Sequence, residues 1–452
     1  MASWKMRRVA HTERDAMRRL EEIRQQLSLE ADIVSPRSRQ LTEKVFGEAL
    51  PPSRVVERVC QDVKRRGTAA VLHYTEQFDQ VKLTPQTLRV SAKEIDAAHQ
   101  QTDRDFLAMI RRVRQNIIRF QSGLVQREAV LTQAGKYELK MRYQPMKRVG
   151  VCVPGGAASY PSTLLMTVCP ARAAGVEEIA AVMPPTSGGA GNPLLLAVCK
   201  ELGVDEVYRV GGAQAVAALA YGTPEIPAVD MIVGPGNLFV TLAKKFVFGR
   251  VAIDCLAGPS EVIVIADATA NPAFIAADLI AQAEHDPASS LLITWHEPLL
   301  DAVETEIQRQ CARLARGQQA LSCLERFGAL ALTRDAGQAV EWTNLIAPEH
   351  LHIMTEQADK LAEKIHSAGA VFVGPHTPVA LGDYAAGPSH VLPTGGTGRF
   401  ASGLSACDFL RRSSLLSFTQ RGLEEIAPDV VMLAEKEGLT GHAASVKIRM
   451  QK

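Results

Sequence analysis

Several short stretches carry side chains whose types and spacing could do chemistry. In AADLIAQAEHDPASS, residues 276–290, Gln282 and His285 stand three residues apart. On a helix such residues are neighbours, roughly 5–6 Å apart at Cβ. Asp286 and Pro287 would end that helix, so the two lone-pair donors would face the same way at its terminus. Histidine in a last turn also serves as a plain cap on free carbonyls. In NLIAPEHLHIM, Glu349 precedes His350. A carboxylate beside an imidazole is the usual equipment for moving protons near neutral pH. Pro348 should hold Ala347 extended, and the stretch also reads as a surface strand with His350 and His352 on one face. LGDYAAGPSHVLPTGG supplies Asp383, an oxygen ligand or an Asx-turn residue, with His390 seven positions on. EKEGLTGHAAS holds Glu437 and His442. Gln282, His285, Asp383 and His442 together offer two nitrogens and two oxygens, a set that suits zinc or manganese better than copper or an iron–sulfur cluster.

A second kind of motif is the glycine-rich turn after a strand: VPGG (153–156), VGGAQ (210–214) and VGPGN (233–237). There the backbone can approach a ligand closely, and the following helix N-terminus favours an anion. Three such turns predict a nucleotide-sized pocket at the carboxyl edge of a sheet, although G-x-G-x-x-G is absent. LAGPSEVIVIAD places Ser260 and Glu261 in a turn leading into a strand. No G-x-S-x-G surrounds the serine, which weakens a nucleophile reading.

The elements that must position these residues follow from pattern. Residues 54–122 show the 3.6 period of helices, with a cap at Ser91, and the chain turns strand-like from about 129. Beyond that, EEIAAVMP, EVYRVGG, DMIVGPG, EVIVIAD, SLLITWH and GAVFVG alternate with helical runs. Such alternation implies parallel sheets covered by helices. The expected fold is α/β, with two doubly wound Rossmann-like domains plus helical N-terminal and C-terminal extensions. The expected division is an N-terminal helical arm (1–50), a larger discontinuous α/β domain (51–150 and 262–404), a Rossmann-like domain on the nucleotide side (151–261), and a helical, polar C-terminal extension (405–452) that contacts another subunit.

Composition narrows the partners. A formal net charge of +1 over 452 residues gives no basic footprint for nucleic acid or an anionic membrane. No apolar run reaches the ~18 residues of a membrane helix, and the Arg- and Glu-rich N-terminus lacks a signal-peptide core, reading instead as an exposed amphipathic helix. Eight scattered cysteines without C-x-x-C suit buried, reduced thiols and a cytoplasmic setting.

In order along residues 50–448, VPGGAASYPSTLLM, VGGAQAVAALAYGT, VGPGN, IDCLAGPSEVIVIADATANPAFIAADLIAQAEHD, IAPEHL, LGDYAAG with SHVLPTGGT, and EGLTGHA resemble the histidinol dehydrogenase family. The resemblance implies an NAD-dependent, zinc-dependent oxidation of L-histidinol to L-histidine through a bound aldehyde, using two NAD+, in the last steps of histidine biosynthesis. It implies that Gln282, His285, Asp383 and His442 bind one zinc, also orienting substrate, and that Glu349 and His350 are the acid/base pair. Ser260, His390 and Glu437 would hold substrate with His350. Gln214 and Asn237 would contact NAD, with Cys152 beside the cofactor where relatives usually carry tyrosine. Glu437 and His442 would reach across from the partner in a homodimer with shared sites. Ser389 stands where asparagine commonly precedes the histidine, and the N-terminus is about 20 residues longer than in short relatives. Cys152 and Ser389 leave room for a related dehydrogenase of another amino alcohol or diol. Zinc with Glu and His would also suit a hydrolase, and a non-catalytic metal-binding paralogue is a further alternative.

Overall fold

EVIVIA and SSLLIT bury every side chain, the signature of strands covered on both faces. A computed structural model of the chain describes residues 4–28, 36–126, 128–155, 160–186 and 188–451. Part of the VPGG turn, Gly156, lies outside the described residues. In chain order the strands are β1 (Arg7–Ala10), β2 (Ala129–Gln133), β3 (Tyr137–Pro145), β4 (Arg148–Cys152), β5 (Glu178–Met183), β6 (Glu206–Arg209), β7 (Met231–Val233), β8 (Ala252–Ile253), β9 (Glu261–Ala266), β10 (Ser289–Thr294), β11 (Gly328–Leu332), β12 (His350–Met354), β13 (Ala370–Val373) and β14 (Leu410–Phe418).

Two parallel sheets carry the architecture, as the alternation predicts. One has the order β6-β5-β4-β7-β8 and the other β1-β11-β10-β9-β12-β13. Each is doubly wound, with the chain growing outward in both directions from an inner strand, β4 in the first and β9 in the second. In the second sheet β9 and β12 are neighbours, with His350 opposite Val262. The helix Pro272–Ala283 crosses from β9 to β10, which are parallel. It must therefore return from the carboxyl edge of the sheet to its amino edge. Asn271 caps its start, accepting the Ala273 N–H at 2.9 Å, and Pro272 opens the first turn. A third, antiparallel sheet, β14-β3-β2, stands beside these. Among the described residues no helix is long and apolar enough to cross a membrane.

The packing departs from the sequence reading in four places. Sequence reading joins 51–150 to 262–404, but these helices pack on the first sheet instead. Val55, Val56, Val59 and Val63 of the helix Pro52–Arg66 are buried with Val216 and Ile232, and Ile110 and Ile117 of the helix Arg104–Leu124 with Leu164 and Val149. The reason is that their apolar faces match the layer over β4, whereas β9 to β12 are covered by their own crossover helices. The N-terminal arm is likewise no exposed helix. β1 extends the second sheet by pairing with β11, and Leu20 and Ile23 of the helix Ala16–Gln26 are fully buried on it. Two arginines in a four-residue edge strand hide its β character from sequence pattern. The C-terminal extension opens not with an α-helix but with a single 3-10 turn, Ala406–Phe409, and then β14, paired along its whole length with β3. Finally, Ala347 is not extended: it caps the helix Ala336–Ile346 in the left-handed region, at φ 52°. Closing that helix over the β12 entry outweighs the local preference set by Pro348.

Ile23→Ala tests the burial of the arm. It is expected to cost about 2–4 kcal/mol in denaturant unfolding. A cost below about 0.5 kcal/mol would fit an exposed helix.

Candidate functional site

The first site begins at the amino ends of β9 and β12. The Glu261 N–H donates to Glu349 Oε2 at 2.8 Å. The Glu261 carbonyl lies 3.1 Å from His350 Nδ1. A carbonyl only accepts, so this contact assigns a hydrogen to Nδ1. Glu349 Oε2 also stands 3.4 Å from that nitrogen, and Nε2 on the other side is 3.5 Å from Asp383 Oδ1. Burial alone would lower the His350 pKa, but Glu349 and Asp383 together lift it to about 10. Burial would likewise raise Asp383, yet His350, with His390 and His285 beyond it, holds its carboxyl below the ordinary value. His390 Nδ1 lies 3.0 Å from the Asp383 carbonyl, and burial pushes this imidazole down. The side chain of Ser389 anchors the loop by donating to the Met166 carbonyl at 2.8 Å.

Asp383 also borders a cavity of about 490 Å³. Gln282 and His285 line the same cavity, with Asp278, Tyr160 and Tyr384. The helix ends at Ala283, so His285 sits in the following turn rather than on the helix, its N–H donating to the Gln282 carbonyl at 3.2 Å. Gln282 is buried and its amide Nε2 has no hydrogen-bond partner. Among the described residues no three His, Cys, Asp or Glu side chains gather as a metal-holding cluster. An imidazole, a carboxylate and an amide, whose oxygen rather than its unpaired Nε2 would be the ligand atom, nevertheless line one cavity; they are three of the four donors read from sequence, and donors of these types suit a dication of zinc type. The fourth member is elsewhere: His442 and Glu437 are exposed on the C-terminal helices and line neither this cavity nor the next. Ser260 immediately precedes β9, and its carbonyl accepts the Ser289 N–H.

A second cavity, about 660 Å³, opens at the carboxyl ends of β4, β5, β6 and β7. This is the crevice where doubly wound sheets take ligands. Cys152, Gly155, Gln214, Gly236 and Asn237 line it. Asn237 caps the helix Leu238–Val247, accepting the Val240 N–H at 3.2 Å. Gly155 lies against Pro184, where an added Cβ would stand 2.6 Å from the ring. The Gly234 turn, at φ 106°, is held from beneath by a buried ion pair. Asp254 accepts its N–H at 2.7 Å and Lys244 donates to its carbonyl at 3.1 Å. Burial pushes the Cys152 thiol up to about 12, so this residue is a neutral wall and no nucleophile.

Sequence reading missed Asp278 and the Lys244–Asp254 pair, and it left the side chain of Glu261 without a role. Asp278 Oδ2 lies 2.5 Å from His352 Nδ1, tying the Gln282 helix to β12. The signals were present: Asp278 and Lys244 each interrupt an apolar helical face, and Glu261 opens an otherwise apolar strand. Burial, and then repulsion from Glu349, push the Glu261 carboxyl up to about 8 from 4.5. The folded chain thus holds a proton that the unfolded chain releases above its own, lower pKa. Stability should fall as pH rises through that interval and level off above about 8. Glu261→Gln removes this contribution and should lose roughly 2–4 kcal/mol less than the parent chain between about pH 5 and pH 8. Parallel unfolding curves for the two proteins would contradict it.

Comparison with known proteins agrees with this layout. The family model for histidinol dehydrogenase matches residues 49–450. The histidinol dehydrogenase of Rhodopirellula baltica is 57% identical over 97% of this chain and 95% of its own. That of Thermosynechococcus vestitus is 47% identical over 90% and 94%. A crystal structure of histidinol dehydrogenase from Elizabethkingia anophelis superposes with a TM-score of 0.90 at 32% identity, covering 100% of this chain and 99% of that one. The chain belongs to the histidinol dehydrogenase family of NAD-dependent oxidoreductases.

Proposed function

We propose that this chain oxidises L-histidinol to L-histidine in two hydride transfers to NAD+, with one zinc ion per site, as the last steps of histidine biosynthesis. The observation that carries this reading is the placing of the His350 ring between Glu349 and Asp383, the latter sharing a cavity with Gln282 and His285. The two cavities also stand close along the chain. Gly155 lines one and Tyr160 the other, and five residues span at most about 18 Å. That reach suits a dinucleotide whose reactive ring meets a substrate in the neighbouring cavity.

When bound, zinc supplies a positive charge that orients the substrate's nitrogens, and NAD+ supplies the hydride acceptor. The rest falls to the chain. Gln282, His285 and Asp383 would hold the ion, with His442 as the fourth ligand. An Asp383 carboxylate shared with that ion would favour the charged form of His350 less. His350 Nε2 then takes the alcohol proton as hydride leaves, its other nitrogen fixed by the Glu261 carbonyl. Glu349 draws a proton from the water that adds to the aldehyde, and a second hydride transfer gives the acid. The buried setting keeps the aldehyde from bulk water between steps. Ser260 and His390 flank the substrate, while Gln214 and Asn237 contact NAD+.

Glu437 and His442 belong, in this reading, to the site of a second copy. Both are exposed, and the arm that bears them also exposes Leu416, Met432, Leu433 and Ile448, each more than 60% accessible. Such apolar surface calls for a covering partner, and a homodimer with exchanged arms provides one.

Purified protein with zinc and NAD+ should yield two NADH per histidinol consumed, followed at 340 nm, while other amino alcohols and diols stay inert. His350→Asn should lower kcat by about 10²–10⁴-fold. Absence of any NADH would reject the reading, and turnover of another alcohol alone would reassign the substrate. Mixing inactive His285→Ala and His442→Ala chains should restore about a quarter of the activity, since half the sites in a mixed dimer are intact. Failure to restore any would refute shared sites.

A further inference from the structure

Asp79 closes the helix Thr68–Asp79 and lines the second cavity. Three circumstances at this carboxylate oppose the fold. Its Oδ2 is buried and meets no hydrogen-bond donor. Burial raises its carboxyl to about 6, with no cation to offset it. It also sits at a helix C-terminus, where the macrodipole disfavours negative charge. A buried acceptor without a donor requires an explanation, and here the cavity provides one: the missing donors come from a ligand.

The neighbours indicate which ligand group. Val55, Val59 and Phe78 line the cavity beside Asp79, an apolar wall suited to the face of an adenine. No residue of 36–79 lines the first cavity, so this wall lies at the end remote from the substrate. A carboxylate there matches a vicinal diol, whose two O–H groups both donate. We propose that Asp79 accepts the 2′- and 3′-hydroxyls of the adenosine ribose of NAD+ and, by its charge, excludes the 2′-phosphate of NADP+. The inference rests on the dinucleotide reading of the second cavity and names the residue that sets its cofactor preference.

Calorimetry on the full-length protein tests it. Asp79→Asn and Asp79→Ala should weaken NAD+ and ADP-ribose about tenfold. Nicotinamide mononucleotide should bind as before, and the preference for NAD+ over NADP+ should narrow. NAD+ lacking the adenosine 2′-hydroxyl should bind the parent chain more weakly and lose little more in the variants. The ligand-free variants should melt at the parent temperature or above, because an unpaired buried carboxylate has been removed, and this separates lost recognition from lost folding. Unchanged NAD+ affinity in both variants, or equal losses for NAD+ and its deoxy analogue, would overturn the assignment and leave the dinucleotide reading standing. A parent chain that binds no NAD+ would overturn both.

Discussion

The main chain of one residue, Glu261, fixes the reactive corner of this molecule. Its N–H holds the Glu349 carboxylate and its carbonyl holds the His350 ring. Both bonds exist because β9 and β12 are adjacent and parallel, with His350 opposite Val262. A slip of one residue would carry His350 to the other face of the sheet. The register is secured in turn by β12 itself, which puts Leu351 and Ile353 on one face and His350 and His352 on the other, with His352 held by Asp278 of the crossover helix.

The two sheets use opposite edges. The first offers its carboxyl ends to the larger cavity, as doubly wound sheets do. The second presents Glu349 and His350 at amino ends, and the crossover helix from β9 brings Gln282 and His285 back to that same edge. The N-terminal helix takes part as well. Arg24 donates to the Gly395 carbonyl at 3.2 Å, and the Gly395 N–H donates to Glu261 Oε1 at 3.1 Å. An arm that sequence reading sets apart therefore reaches the corner through two contacts.

Much of this was legible before any coordinates. The glycine turns at 210–214 and 233–237 border one cavity, and the Ser91 cap is a complete capping box with Glu94. What pattern could not show was partnership between distant segments. Periodicity identifies the apolar face of the helix Pro52–Arg66 but not the sheet it covers. β14 alternates too weakly to read as a strand, and its identity comes from β3 opposite it. Asp278 and His352 are separated by 74 positions, so neither advertises the other. His442 remains apart from the cavity because nothing in a single chain's own packing carries the C-terminal helices there.

The anchoring of Glu349 and His350 to main-chain atoms has an evolutionary side. A side-chain anchor disappears with one codon change, whereas a peptide N–H and carbonyl are common to nearly every residue. A changed side chain at position 261 would therefore give up the Gly395 contact and the fit of a buried site yet keep both tethers, and only proline, which lacks the N–H, would sever one of them.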